Sequence, residues 1–382
     1  MQKFLVRPLQ SADISTVILI DALDECRDEE PESAILFVLG KLVSMIPRVK
    51  FFVTSRPEAH ILSGFRGSLL KGLTHVFILH EVQPCTVNND IRRFFQHELS
   101  KLAQMRSSID GWPKDEHLNS LCQRAAGFFV YAVATVNFLK HRFKRPSDRL
   151  EIIMRSPEST VHEGKVELKV YTSLDSLYMT IFQKSFHKNK PNDSLVHSIL
   201  SAVVLTANPL PLSAIATLTG FRHNQVQRLL ELIQSLLILP EDPDHPVQPF
   251  HKSFSDFMTD PTRCVDVQFY ISPNHHTELV LHCLKLMAKL LEKNMCSIPN
   301  HALNTEVVDL LGRTRGSGIC GALEYACRSW YKHLIIMGNQ IEEVVSALHH
   351  FLEQKFLFWL EVLSILGSVR MLSMHWLQPQ NG

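Results

Sequence analysis

Apolar residues follow two rhythms along this chain. From Thr16 to about Leu79, short continuous apolar runs alternate with stretches of helical spacing, the pattern of parallel strands joined by crossover helices. Val17-Ile18-Leu19-Ile20 is unbroken and β-branched, as expected of a central strand buried on both faces. Ile35, Leu36, Leu39, Leu42, Val43 and Ile46 recur at helical spacing and predict a helix that opens around Pro31, Glu32 and Ser33 and stops at Pro47. Val49–Val53 and His75–Leu79 predict two more strands. About three strands make a thin sheet, since open doubly wound sheets carry about five.

Beyond Pro84 the pattern is helical only, strongest at Ile91–Leu102, Glu116–Leu139 and Leu174–Phe186. The polar stretch 156–165, with a Pro and a Gly, reads as an exposed connector. A compact unit runs from about Asp193 to Asp260. Helices are predicted at Ser194–Leu205, Ser213–Leu218 and Asn224–Ser235, then an apolar run at 236–239, a loop rich in Pro and Asp, and a second run at 247–251. Three short helices with a strand–loop–strand wing describe a winged helix. From about His275 to Trp376 the chain is helical again. The expected architecture is an α/β domain with a thin parallel sheet over residues 1–85. A helical domain (86–165), a winged-helix domain (166–262) and a helical C-terminal domain (263–382) complete it.

Composition narrows the function classes. At 382 residues and 45% hydrophobic, the chain can bury more than one core. Its 39 basic and 38 acidic residues give a net charge of +1, which removes the long-range field that nucleic acids and acidic membranes attract. A winged-helix DNA binder is disfavoured further, because the third helix of that unit offers only Arg222 and Arg228 as full cations. Eight cysteines without a C-x-x-C pair fit reduced thiols, and the N-terminus lacks the apolar stretch of a secretory signal. Phe351–Gly367 is interrupted by Glu353, Lys355 and Glu361, so no membrane span is expected. These features point to a cytoplasmic protein that meets other proteins or itself, not nucleic acid or membrane.

The chemistry concentrates at two strand ends. In V-I-L-I-D-A-L-D-E-C (17–26) a buried strand ends in Asp21, at the sheet edge where an acid can hold the water shell of Mg²⁺. Asp24 and Glu25 come next, placed where an acid can orient a water for attack on a γ-phosphate. In K-F-F-V-T-S-R-P-E (50–58) a neighbouring strand brings Thr54, Ser55 and Arg56 to the same edge, and a guanidinium there can sense a γ-phosphate. Other candidates carry less. The glycine-rich R-G-S-G-I-C-G (315–321) reads as a loop, and the basic run 140–149 as a charged, solvated helix end. His275-His276 and His349-His350 have no acid or thiol at ligand spacing.

Together the two strand-end motifs resemble the Walker B and sensor segments of NACHT-type STAND ATPases, especially the large fungal, nephrocystin-3-like set. R-A-A-G-F-F-V-Y-A-V-A-T-V (124–136), T-S-L-D-S-L-Y (172–178) and P-F-H-K-S-F-S-D-F-M-T-D (249–260) resemble the helical domain and winged helix that come after the ATPase core. The resemblance implies that residues 1–85 are an α/β partial P-loop NTPase-like sheet, its C-terminal half, in a nucleotide-dependent switch that holds ADP when closed and exchanges it for ATP to oligomerise. It implies Asp21 as the Mg²⁺ acid, Asp24 and Glu25 as hydrolytic acids, and Arg56 as the γ-phosphate sensor. His251 would touch the β-phosphate of ADP, with ATP or ADP and Mg²⁺ as the cofactors. The other reading of His251 is a hydrogen-bonded histidine that closes the wing.

Two departures qualify the resemblance. No G-x-x-x-x-G-K-[ST] occurs; Gly67 and Gly72 have the glycine spacing but continue Leu73-Thr74, after the sensor strand. Most phosphate-binding free energy resides in that loop's lysine and backbone N–H groups, so independent hydrolysis is not expected. Gly127-Phe128-Phe129 stands where many relatives place a proline against adenine. The rival expectation is a non-enzymatic interaction protein that docks on intact relatives.

Overall fold

The computed structural model describes residues 15–26, 29–67, 69–79, 83–105, 112–140, 145–155, 171–187, 191–206, 208–297, 319–337 and 341–369, together with Arg7. The chain divides into two compact units, Met1–Gln83 and Pro84–Gly382.

In the first unit, β1 (Thr16–Ile20) leads through a short 3₁₀ turn (Leu23–Glu25) and helix α1 (Glu29–Met45) to β2 (Val49–Val53), and helix α2 (Ala59–Arg66) comes after it. β1 and β2 pair in parallel, Thr16 opposite Val49 and Ile20 opposite Val53. A parallel pair needs a crossover, and α1 supplies it with the predicted apolar stripe. Leu36 and Leu39 pack with Leu23 and Ile61 in one cluster, and Leu42 and Ile46 with Val49 in another. A Cβ on Gly64 would collide with the Leu36 side chain, so glycine lets α2 lie close against α1.

Two expectations for this unit fail. The β1 run is covered on one face only: Ile18 and Ile20 are half-buried, while Val17, Leu19 and, on β2, Phe52 are 66, 64 and 59% exposed. His75–Leu79 is not a strand. It joins no ladder, and Val76, Phe77 and Leu79 are 62, 72 and 76% exposed. A β-branched run becomes a strand only when another strand presents its N–H and C=O groups, and the described sheet stops at two.

The second unit begins with α3 (Pro84–Met105), α4 (Asp115–Ala125), α5 (Phe129–Leu139) and α6 (Pro146–Arg155). The expected single helix Glu116–Leu139 is broken. Ala126 and Gly127 both take positive φ, 47° and 85°, and Ala126 caps α4 through its N–H to Cys122 and Gln123. Arg149 corrects the reading of the basic run, since it is buried rather than solvated. Its guanidinium lies 3.8 Å over the Phe138 ring and donates to the Phe138 carbonyl, so a cation closes the C-terminal end of α5. The connector 156–165 and most of the glycine-rich segment, 315–318, lie outside the described residues.

Next come α7 (Thr172–Phe186), α8 (Asp193–Val204), β3 (Leu210–Pro211), α9 (Leu212–Thr219), α10 (His223–Leu232), β4 (Leu237–Ile238), β5 (Pro246–Pro249) and α11 (Lys252–Thr259). β5 is the centre of a three-stranded antiparallel sheet of order β3-β5-β4, with Val247 opposite Leu210 and Pro249 opposite Leu237. Aromatic packing joins α7 to α11 and to the segment beyond it: Phe182 stacks on Phe269 at 4.4 Å, and Tyr178 lies 5.7 Å from Phe254 and 5.3 Å from Phe257. The last described helices of the unit are α12 (His275–Leu290), α13 (Gly321–Met337), α14 (Glu342–Gln354) and α15 (Phe356–Ile365). One contiguous core runs from Ile91 to Leu363. No described helix is long and apolar enough to cross a membrane.

Candidate functional site

The apolar run of β1 ends at Ile20, and the next four residues turn sharply. Ala22 takes a left-handed conformation (φ 51°, ψ 55°), and Leu23, 1% exposed, anchors the 3₁₀ turn in the core. Because Ile20 stands opposite Val53, the first residues beyond the two strands, Asp21 and Thr54, become neighbours. Thr54 ties the two strand ends together. Its N–H donates to the Ile20 carbonyl at 2.9 Å, and its own carbonyl accepts from the Leu23 N–H at 2.9 Å. Its hydroxyl accepts from the Ala22 N–H at 2.8 Å and donates to Asp21 Oδ1. Asp21 is exposed and is oriented by that hydroxyl.

Asp24 is the buried acid, 7% exposed. Its Oδ1 accepts the Arg56 backbone N–H at 2.9 Å, and its Oδ2 lies 3.4 Å from Arg56 Nε. The carboxylate therefore grips Arg56 by main chain and side chain, while the Arg56 side chain as a whole stays 41% exposed. Glu25 sits exposed on the same turn. Asp21 and Asp24 are thus gathered at one edge with Arg56, about 35 residues further along the sequence. The sequence identified the acids and the arginine, whereas the double role of the Thr54 hydroxyl needed the strand register to become visible.

His251 belongs to the second unit. It is the N-cap of α11, in extended conformation, and its Nδ1 accepts the Ser253 N–H at 3.1 Å. Ser253 Oγ lies 2.7 Å from the same nitrogen and 2.8 Å from Tyr178 Oη. Beyond the other end of α11, Arg263 makes a bidentate pair with Asp175, Nε to Oδ2 at 3.0 Å and Nη2 to Oδ1 at 2.7 Å, and lies 4.7 Å over the Tyr171 ring. Burial pushes the Asp175 carboxyl above its ordinary range and outweighs the pull of Arg263. Among the described residues, no group of three or more His, Cys, Asp or Glu is arranged to hold a metal ion unaided.

Comparisons with known proteins fit this edge. Residues 1–56 match the family described as nephrocystin 3, N-terminal, a segment that takes in Asp21, Asp24 and Glu25 and ends at Arg56. Over 391 aligned residues the chain is 21% identical to vegetative incompatibility protein HET-E-1 of Podospora anserina. That alignment covers 93% of this chain and 26% of the relative, so the chain spans about a quarter of the relative's length. No solved structure matches. The strand-end motifs, the family match and the long alignment agree: the chain is similar to nephrocystin 3 over its first 56 residues and to a fungal vegetative incompatibility protein over most of its length.

Proposed function

We propose that the chain is a regulatory module of a nucleotide-dependent switch, with an incomplete ATP site in its first unit and a helical and winged-helix relay in its second. The observation that carries this reading is the Asp21–Thr54–Asp24–Arg56 cluster at the carboxyl edge of two parallel strands, where nucleotides bind in α/β sheets. Arg56 is the sensor. Its guanidinium exchanges its Asp24 partner for a γ-phosphate oxygen, because a doubly charged phosphoryl group competes well for a half-exposed arginine. Asp24 is released in that exchange and joins Glu25 as an acid that can orient water. Asp21 and the Thr54 hydroxyl are hard oxygen donors that suit Mg²⁺, with phosphate and water completing its shell. Residues 166–262 are read as the winged-helix domain, and His251 as a residue that binds nucleotide phosphate.

Hydrolysis by the chain alone is not part of the proposal, because no phosphate-binding G-x-x-x-x-G-K-[ST] loop occurs in these 382 residues. The test is equilibrium binding of ADP and ATP with Mg²⁺ to the full chain and to Arg56→Ala. Loss of one charge-assisted hydrogen bond should weaken ATP about tenfold and leave ADP unchanged. Equal weakening of both nucleotides would remove Arg56 from the sensor role. A second reading, a non-enzymatic protein that docks on intact relatives, is favoured by the exposed apolar face of Val17, Leu19 and Phe52. Absence of all nucleotide binding would select it.

A further inference from the structure

The start of α11 holds a chain of three side chains whose direction can be read from one unambiguous donor. The Ser253 backbone N–H has only a proton to offer, and it points at His251 Nδ1 from 3.1 Å. A ring nitrogen that accepts carries no proton, so the neutral ring keeps its proton on Nε2. Ser253 Oγ, 2.7 Å from the same Nδ1, must then donate to it. The hydroxyl in turn accepts from Tyr178 Oη at 2.8 Å. Tyr178 is 2% and Ser253 3% exposed, and burial pushes the Tyr178 hydroxyl up to about 12, so it remains a donor at any working pH. His251 itself is exposed. One turn before Tyr178 on α7, Asp175 holds Arg263 beyond the far end of α11. Helix α7 therefore fixes both ends of α11.

We propose that Tyr178 and Ser253 are positioning residues that hold His251 as its Nε2–H tautomer, so that it meets a phosphoryl oxygen as a neutral donor and not as an imidazolium. This rests on the nucleotide reading above and adds a direction to it. A proton placed on Nδ1 would forfeit the cap from the Ser253 N–H and force the Ser253 hydroxyl to turn from donor to acceptor. The relay thus couples the state of one exposed ring to the seating of α11 on α7.

The experiment is nitrogen-15 NMR of the histidine rings in the full chain at neutral pH, with His251 assigned by its loss in His251→Gln. The wild type should show the Nε2–H pattern. Ser253→Ala and Tyr178→Phe each remove one neutral hydrogen bond from the relay and should raise the share of the Nδ1–H form about fivefold. A wild-type ring protonated on Nδ1, or a tautomer ratio that neither variant moves, overturns the proposal. Should Ser253→Ala fail to fold, Tyr178→Phe decides alone, since it deletes one oxygen and keeps the ring packing. Titration with ADP and Mg²⁺ separates the two layers. A shift of His251 Nε2, with about fivefold weaker ADP in Tyr178→Phe, supports both; tautomer shifts without any response to ADP overturn the nucleotide reading while the relay stands.

Discussion

At the scale of single residues, the identities were legible and their partners were not. Asp21, Asp24 and Arg56 stand within a few residues of the ends of apolar strand runs, yet nothing in the sequence says that Asp24 holds Arg56 by both main chain and side chain. That depends on Leu23 being buried and Ala22 turning left-handed, which only the packed chain decides. Arg149 shows the same limit. In sequence it ends a basic run and reads as solvated, but the fold closes α5 with it, and burial lowers its pKa to about 10. No carboxylate accompanies it among the contacts described, so its stabilisation comes from the Phe138 carbonyl, the end of the helix dipole and the Phe138 ring. Arg149→Met should therefore lower the unfolding free energy by about 2 kcal/mol, the scale of a charged hydrogen bond. Urea denaturation of the two proteins measures it. An unchanged midpoint would mean that the buried cation costs as much in desolvation as it returns.

At the scale of elements, helices were read well because their signal is local. The stripe of α1 and the segments of α7 and α8 fell within a few residues of their observed bounds, since 3.6-residue spacing marks a buried face wherever that face packs. Strands were read less well: His75–Leu79 has strand chemistry without a strand partner, and pairing is not local. Contacts between helices were invisible for the same reason. The paired histidines His275-His276 carried no metal spacing, but His276 belongs to a buried network between α12 and α13. Its Nδ1 is 2.7 Å from His333 Nδ1, and His333 Nε2 is 2.6 Å from Tyr325 Oη.

Burial lowers the His276 pKa, with the neighbouring His275 adding to the effect, and burial also lowers that of His282 further along α12. The unfolded imidazole titrates near about 6.5 and the folded one lower, so between those values the unfolded chain binds more protons. Stability is full above about pH 6.5 and falls as the pH drops toward the folded pKa. Denaturation midpoints measured from pH 7.5 to 5 should decline, and His276→Gln should decline less steeply, with His282 supplying the remaining slope. Identical slopes in the two proteins would exclude His276 as the source.

At the scale of the whole molecule, composition foresaw more than one core but not how the cores would be shared out. The first unit is built on a sheet whose apolar character calls for two covered faces and has one, leaving Val17, Leu19 and Phe52 outside. Boundaries drawn in the second unit from composition, near 165 and 262, separate three modules. The packed chain runs a single apolar cluster through all of them, from Ile91 on α3 through Ile199 on α8 to Leu363 on α15. A contiguous core argues for one cooperative block, because opening any module exposes apolar surface on its neighbours. Ile199→Ala, at a fully buried position, should cost about 3 kcal/mol. Native-state hydrogen exchange should then show that loss equally in α5, α8 and α13. Loss confined to α7–α11 would support the sequence boundaries as cooperative limits, and the relay from His251 to α7 would then act within one module alone.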